Sequence, residues 1–225
     1  MQYKNLTIIG TSHIAQESLD EISSFIEDKM PNIIALELDS KRFSALMSDK
    51  KNKPSFRDIR KIGFNGYMFV LLGSWAEKKL GQEVGVMPGS EMRKAIELAK
   101  KYKLNIVLID DDIENILRRL TKYLTWKEKI NFLVDILKAV FKRERIEFDL
   151  RKVPEEKIIK VLLGKVKKRY PNIYRVLITE RNKLMAKRLT ALMEKNQDMS
   201  ILVIVGAGHV DGIIKLINAH NHLTL

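Results

Sequence analysis

Cysteine is absent from the 225 residues. That excludes disulfide staples, cysteine-held zinc and thiol nucleophiles, and leaves His, Asp and Glu as the side chains able to hold a metal ion. A bilayer-length apolar run is missing too. The longest candidate, "GYMFVLLGSWA" at Gly66–Ala76, is about half the roughly 20 residues a membrane helix needs, and reads as a buried or interfacial helix. The opening "MQYKNLTIIG" has neither the charged start nor the long apolar stretch of a secretory signal, so the expected location is the cytoplasm, with peripheral membrane contact left open. Glutamine is scarce, at positions 2, 16, 82 and 197, and together with abundant Lys and Glu this fits a thermophile's composition.

Positive charge is in excess, 41 Lys and Arg against 28 Asp and Glu, a formal +13. A basic surface attracts nucleic acid or anionic membrane. The excess is regional, however: Lys138–Tyr170 carries twelve basic and five acidic residues. In "EEKIIKVLLGKVKKRY" the charges alternate with apolar residues at helical spacing, the pattern of a solvated helix face. No aromatic-rich platform for single strands accompanies it, so no specific nucleic-acid partner is expected. A membrane-surface or partner-docking role for this region stays open, as does a homo-oligomer.

Four short apolar runs read as strands: Thr7–Gly10, Ile33–Leu38, Ile106–Ile109 and Ile201–Val205. Helical periodicity follows each, at Ile14–Lys29, Lys41–Met47, Ile113–Tyr123 and Gly212–Asn218. A further helix in "PGSEMRKAIELAKKYKL" has Ser90 placed to cap it. Alternating strands and helices predict an α/β domain with a mostly parallel central sheet flanked by helices. The chain reads as one domain, 1–225, with a helical insertion at about 126–195. The basic stretch Ser48–Lys61, with Pro54, reads as a loop.

The last strand runs into "IVGAGHVDGI". Gly206, Gly208 and Gly212 meet a loose glycine spacing for dinucleotide binding, but that fingerprint needs a following βαβ unit with an acid about 20 positions on. Only thirteen residues follow Gly212. The more informative feature is duplication. "IIGTSH" ends the first strand and "IVGAGH" the last, each a β-run followed by G-x-x-H. Parallel strands place their C-termini on one edge, where open α/β folds bind ligands, and neighbouring strands lie about 4.8 Å apart. His13 and His209 would therefore converge if their strands are adjacent. The glycines are expected to ease a sharp turn and leave room at the edge.

Oxygen ligands are on hand at the same edge. In "NIIALELD", Glu37 and Asp39 share a face by the two-residue period of a strand. Glu91 sits near a helix N-terminus, which favours a carboxylate. Of Asp110, Asp111 and Asp112, one is expected to cap the next helix and another to face the site. His220 and His222, in the polar "NAHNHLTL", read as exposed.

The blocks "GTSH", "ALELD", "PGSEMRKAIELA", "VLIDDDIENILRRL", "TERNKLMAKRL" and "VIVGAGHVDGI", in this order, resemble the TraB/PrgY family. That family shares a superfamily with Tiki metalloproteases and is more distantly similar to ChaN and erythromycin-esterase-like proteins. The sequence departs from the family pattern at Asp111, where arginine is common, and at Ile116, where threonine is usual. The resemblance implies an active site built from the paired G-x-x-H motifs and a glutamate, here His13, His209 and Glu37, and points to Glu91, Arg119 and Arg181 as further polar site residues. The activity it implies is metal-dependent peptide hydrolysis, with Mn²⁺, Co²⁺ or Zn²⁺ on His13, His209 and Glu37. Glu91 would relay a proton, and Arg119 or Arg181 would hold a substrate carboxylate or oxyanion. The alternative it implies is a protein that binds and sequesters a pheromone-like peptide without cutting it.

Overall fold

The computed structural model describes residues 1–11, 16–48, 89–142 and 156–223. His13, nearly all of the Ser48–Lys61 stretch and the Gly66–Ala76 run lie outside them. The elements are β1 (Gln2–Tyr3), β2 (Leu6–Thr11), α1 (Gln16–Lys29), β3 (Ile33–Leu36), α2 (Ser40–Met47), α3 (Ser90–Tyr102) and β4 (Asn105–Leu108). There follow α4 (Ile113–Tyr123), α5 (Trp126–Lys142), α6 (Glu156–Arg169), α7 (Pro171–Tyr174), a π-helical turn (Arg175–Glu180), α8 (Arg181–Lys195), β5 (Ile201–Gly206) and α9 (Ala207–Leu223).

The five strands form one sheet in the order β1-β2-β5-β3-β4, parallel except for the short β1. This is the α/β architecture that the alternation of elements predicts. All six residues of β5 are buried, as expected for a strand covered on both faces. Its side chains divide by the two-residue period. Ile201, Val203 and Val205 pack with Met185, Leu189 and Met193 of α8 and with Ile213 and Ile217 of α9. Leu202 and Ile204 face the other way, onto Ile22 and Ile26 of α1 and Met92, Ala95 and Ile96 of α3. A smaller apolar cluster joins α4 (Ile116, Leu117, Leu120) to Ile173 and Val176 on α7 and the π turn.

This layering fixes where a ligand would enter. The central neighbours β2 and β5 are paired in register, Gly10 opposite Val205 and Thr11 opposite Gly206. The helix after β2 crosses to one face of the sheet and the helix after β5 to the other. In open α/β folds, ligands bind at the C-terminal ends of strands whose following helices diverge in this way.

Two local expectations are corrected. Ser90 does not cap α3: the cap is Gly89, in the left-handed region at φ 82°, and no side chain completes it. The final helix begins at Ala207, five residues before Gly212, so Gly208 and Gly212 are helical despite the roughly 1 kcal/mol that glycine costs there. Tertiary packing against β2 and α8 outweighs that propensity.

Candidate functional site

The exits of β3, β4 and β5 bring three side chains together at the C-terminal edge: Glu37, Asp110 and His209, each 6 % exposed or less. Arg181, the first residue of α8, lies among them with its side chain 11 % exposed. Its Nε donates to Asp110 Oδ1 at 3.0 Å and its Nη2 to Asp110 Oδ2 at 2.6 Å. The same Nη2 donates to Glu37 Oε1, while Nη1 donates to the Leu177 carbonyl at 3.2 Å and lies 3.2 Å from His209 Nε2. Arg181 is thus spent on both carboxylates and the imidazole at once. The π turn immediately before it is a form of helix that recurs at functional sites.

The opposite side of Asp110 is held by Arg42, whose Nη2 reaches Asp110 Oδ2 at 2.6 Å while its Nε donates to Asp39 Oδ2 at 2.6 Å. Arg188 Nη1 donates to the Asp110 carbonyl at 2.5 Å. Anion and cation therefore alternate without a break from Asp39 through Arg42, Asp110 and Arg181 to Glu37. Burial would keep Asp110 neutral, but the hydrogen bonds and charges of Arg181 and Arg42 overcome it and lower its pKa to about 2. Glu37 follows the same logic: burial raises it, and the fields of His209, when its ring is protonated, and of Arg181, with the Gly206 N–H, prevail and lower it. That N–H donates to Glu37 Oε2 at 2.6 Å. Burial opposes the charge on Arg181, yet Asp110 and Glu37 raise its pKa.

The imidazole is oriented from behind. His209 Nδ1 lies 2.6 Å from Asn182 Oδ1, and Nε2 lies 3.4 Å from Glu37 Oε1. A glycine permits another close approach. A Cβ on Gly10 would stand 2.7 Å from Val210 Cγ2 and 3.2 Å from Ala207 Cα, so the absent side chain lets the start of α9 lie against β2. Gly89 is the one glycine among the described residues with positive φ. The glycines of the two G-x-x-H motifs therefore serve close approach or hydrogen bonding, not the sharp turn expected of them.

Of the residues singled out from sequence, Glu37, Arg181 and His209 meet in this cluster. Glu91 is buried, 2 % exposed, in the first turn of α3. Arg119 lies against Asp111 and against Glu180, its Nε 3.2 Å from the latter. Asp39 is not a strand residue, because β3 ends at Leu36. It caps α2 by accepting from the Lys41 and Arg42 N–H groups, and also accepts from Ile113 N. Asp112 caps α4, while Asp110 takes the inward position. His220 is exposed on α9.

Sequence reasoning passed over Arg42 and Asn182. Arg42 falls in the stretch Lys41–Met47, which the sequence marks only as a helix, and Asn182 lies between the more conspicuous Arg181 and Lys183. Among the described residues no three His, Asp or Glu side chains converge closely enough to hold a metal ion, and no helix is long and apolar enough to cross a membrane.

Comparison with known proteins identifies the family of the chain. The family model for TraB/PrgY/gumN matches residues 2–221. An uncharacterized protein of Methanocaldococcus jannaschii is 40 % identical over 216 residues, 94 % of this chain and 53 % of that protein. A TraB domain-containing protein of Mus musculus is 22 % identical over 240 residues, and its Homo sapiens counterpart 21 % over 238, each covering 92 % of this chain and 61 % of the relative. The chain thus spans about half to three fifths of the length of these relatives. The chain belongs to the TraB/PrgY/gumN family.

Proposed function

We propose that the chain is a metal-dependent hydrolase of peptide bonds, working in the crevice at the C-terminal edge of the sheet. The observation that carries this reading is the approach of Glu37 Oε1 and His209 Nε2 to 3.4 Å at the exits of adjacent strands. Beside them, the β2 exit leads in sequence to His13. Imidazole and carboxylate suit Mn²⁺, Co²⁺ or Zn²⁺, and this pair already faces a cation, the Arg181 guanidinium. By donor chemistry the residues fit such an ion, and His13, His209 and Glu37 would hold it. Bound there, the ion supplies Lewis-acid polarisation of the carbonyl and a water of lowered pKa.

The chain's own groups do the rest. Hydrolysis delivers the hydroxyl of water to the acyl carbon and a proton to the departing amine. Glu91 is assigned the transfer of that proton, as general base and then general acid. Arg181, anchored by Asp110, would offer its remaining N–H groups to the acyl oxygen or to a substrate carboxylate. Arg119 is assigned the more distant end of the substrate.

A second reading is favoured by one observation. Arg181 satisfies both Glu37 and His209, so the cluster is complete without an ion, and a cleft that captures a peptide without cutting it requires nothing more. One experiment separates the two. The protein is dialysed, reloaded with Mn²⁺, Co²⁺ or Zn²⁺, assayed for bound metal and incubated with a mixed peptide library read by mass spectrometry. The hydrolase reading expects about one equivalent of metal and fragments, both lost in His209→Ala and Glu37→Gln. Peptides bound but recovered intact would establish capture, and full cleavage by both variants would overturn the assignment of the site.

A further inference from the structure

The hydrogen bonds around His209 determine which ring nitrogen carries the hydrogen. A guanidinium has five N–H donors and no acceptor. With Arg181 Nη1 3.2 Å from Nε2, a favourable contact requires the lone pair of the neutral ring to be on Nε2. The hydrogen then sits on Nδ1, and its partner at 2.6 Å must be an acceptor, the Asn182 side-chain oxygen. Flipping the Asn182 amide would set donor against donor at one nitrogen or the other, so the network fixes the amide as well.

Asn182 is held in this pose by its own surroundings. It is 5 % exposed, and its Nδ2 lies over Gly212, one turn along α9 from His209. A Cβ at Gly212 would stand 2.1 Å from Nδ2 and 3.1 Å from Cγ. The amide could escape such a contact only by giving up His209. The glycine that looks like part of a phosphate-binding fingerprint is instead the floor beneath Asn182.

We propose that Asn182, seated on Gly212, is a positioning residue that fixes the Nδ1–H tautomer of the neutral His209 ring and thereby keeps the Nε2 lone pair directed at the Arg181 guanidinium. A second partner of this kind is what orients an imidazole for a metal or a proton. The inference concerns the ring itself and holds whichever of the two Nε2 receives. It therefore stands or falls separately from the hydrolase reading.

Nitrogen-15 NMR of the histidine-labelled full chain tests it, with the His209 signals assigned by their loss in His209→Gln and spectra taken at a pH where the ring is neutral. In the wild type Nδ1 should give the signal of a protonated, pyrrole-like nitrogen and Nε2 that of a bare, pyridine-like one. Asn182→Ala should abolish this single tautomer in favour of a mixture or of the Nε2–H form. Asn182→Asp, whose carboxylate can only accept, should restore it. Gly212→Ala should reproduce the Asn182→Ala spectrum with Asn182 still present. An unchanged Nδ1–H signal in Asn182→Ala would overturn the proposal, because Arg181 alone would then be sufficient. Equal loss in Asn182→Ala and Asn182→Asp would also overturn it, since packing and not hydrogen bonding would be the cause.

Discussion

Replacing Arg181 with methionine removes the one cation shared by Glu37 and Asp110 while keeping a side chain of similar length. Both carboxylates stay buried, 6 % and 0 % exposed at the side chain, and they lose the charge that offsets their burial. Breaking a buried pair from one side costs roughly 3–5 kcal/mol, because the remaining charge is left without compensation. Here Arg42 and the Gly206 N–H remain as partial partners, which puts the expectation at the lower end, about 3 kcal/mol. For a domain of 225 residues, 1 kcal/mol corresponds to about 2–4 °C in Tm, so Arg181→Met should melt about 6–12 °C below the wild type at pH 7. The sign with pH is also fixed. The penalty comes from ionised carboxylates, so the gap should narrow as the pH falls below about 4 and they take up protons. Adding Asp110→Asn should recover part of the loss, since the two residues belong to one network. Thermal and urea unfolding at pH 7 and pH 3 measure all three quantities. A variant melting within about 2 °C of the wild type, or a gap of equal size at both pH values, would refute the reasoning that the cluster is held by charge.

Asp110 alone should leave a mark on acid unfolding. Its folded pKa of about 2 lies below the ordinary 3.8, so its contribution is present above about pH 4 and lost as the pH falls through 2. A depression of nearly two units amounts to about 2 kcal/mol, and Asp110→Asn should flatten urea-unfolding stability between pH 4.5 and 2. Gly10→Ala should cost about 1–3 kcal/mol by overpacking, since the new methyl would meet both Val210 and the backbone of Ala207; a Tm equal to that of the wild type would contradict the close approach of α9 to β2. Glu128 is 2 % exposed, accepts from Thr125 N and Thr125 Oγ1 in a capping box, and accepts from Asn172 N at 2.7 Å. Glu128→Ala should lower stability by about 1–3 kcal/mol, with amide exchange accelerated first in the opening turns of α5 and α7.

The elements whose pattern is local were legible in the sequence. Ile113–Tyr123 reads as a helix from its apolar spacing and its leading aspartate, and the same boundaries are found, with Asp112 as the cap. The four parallel strands are short apolar runs that turn signals isolate. Less legible was whatever depends on residues meeting across the chain. Arg181 lies 144 positions from Glu37 and 71 from Asp110, and no periodicity announces that one arginine will bridge them. Asp39 was read from a strand period that stops three residues too early, and its capping role shows only once the end of β3 is known. The last helix reads from sequence as starting at Gly212 but begins at Ala207, and the room that Gly212 leaves for Asn182 exists only in the packed molecule. The adjacency of β2 and β5, on which the G-x-x-H reading depends, is found, while His13 lies outside the described residues.

The π-helical turn at Arg175–Glu180 has a consequence for how this chain tolerates change. The helix is unbroken from Pro171 to Lys195, and its two halves answer to different cores: Ile173 and Val176 to α4, Met185, Leu189 and Met193 to the sheet. The wider turn holds one residue more than ordinary helix does over nearly the same rotation. Deleting one residue within it would therefore restore ordinary helix and leave the two halves close to their present faces, whereas a deletion elsewhere between Pro171 and Lys195 would swing one half by about 100° against its core. Across the lineage, a change of length in this helix should therefore be tolerated best within Arg175–Glu180, which behaves in evolution like an expansion joint.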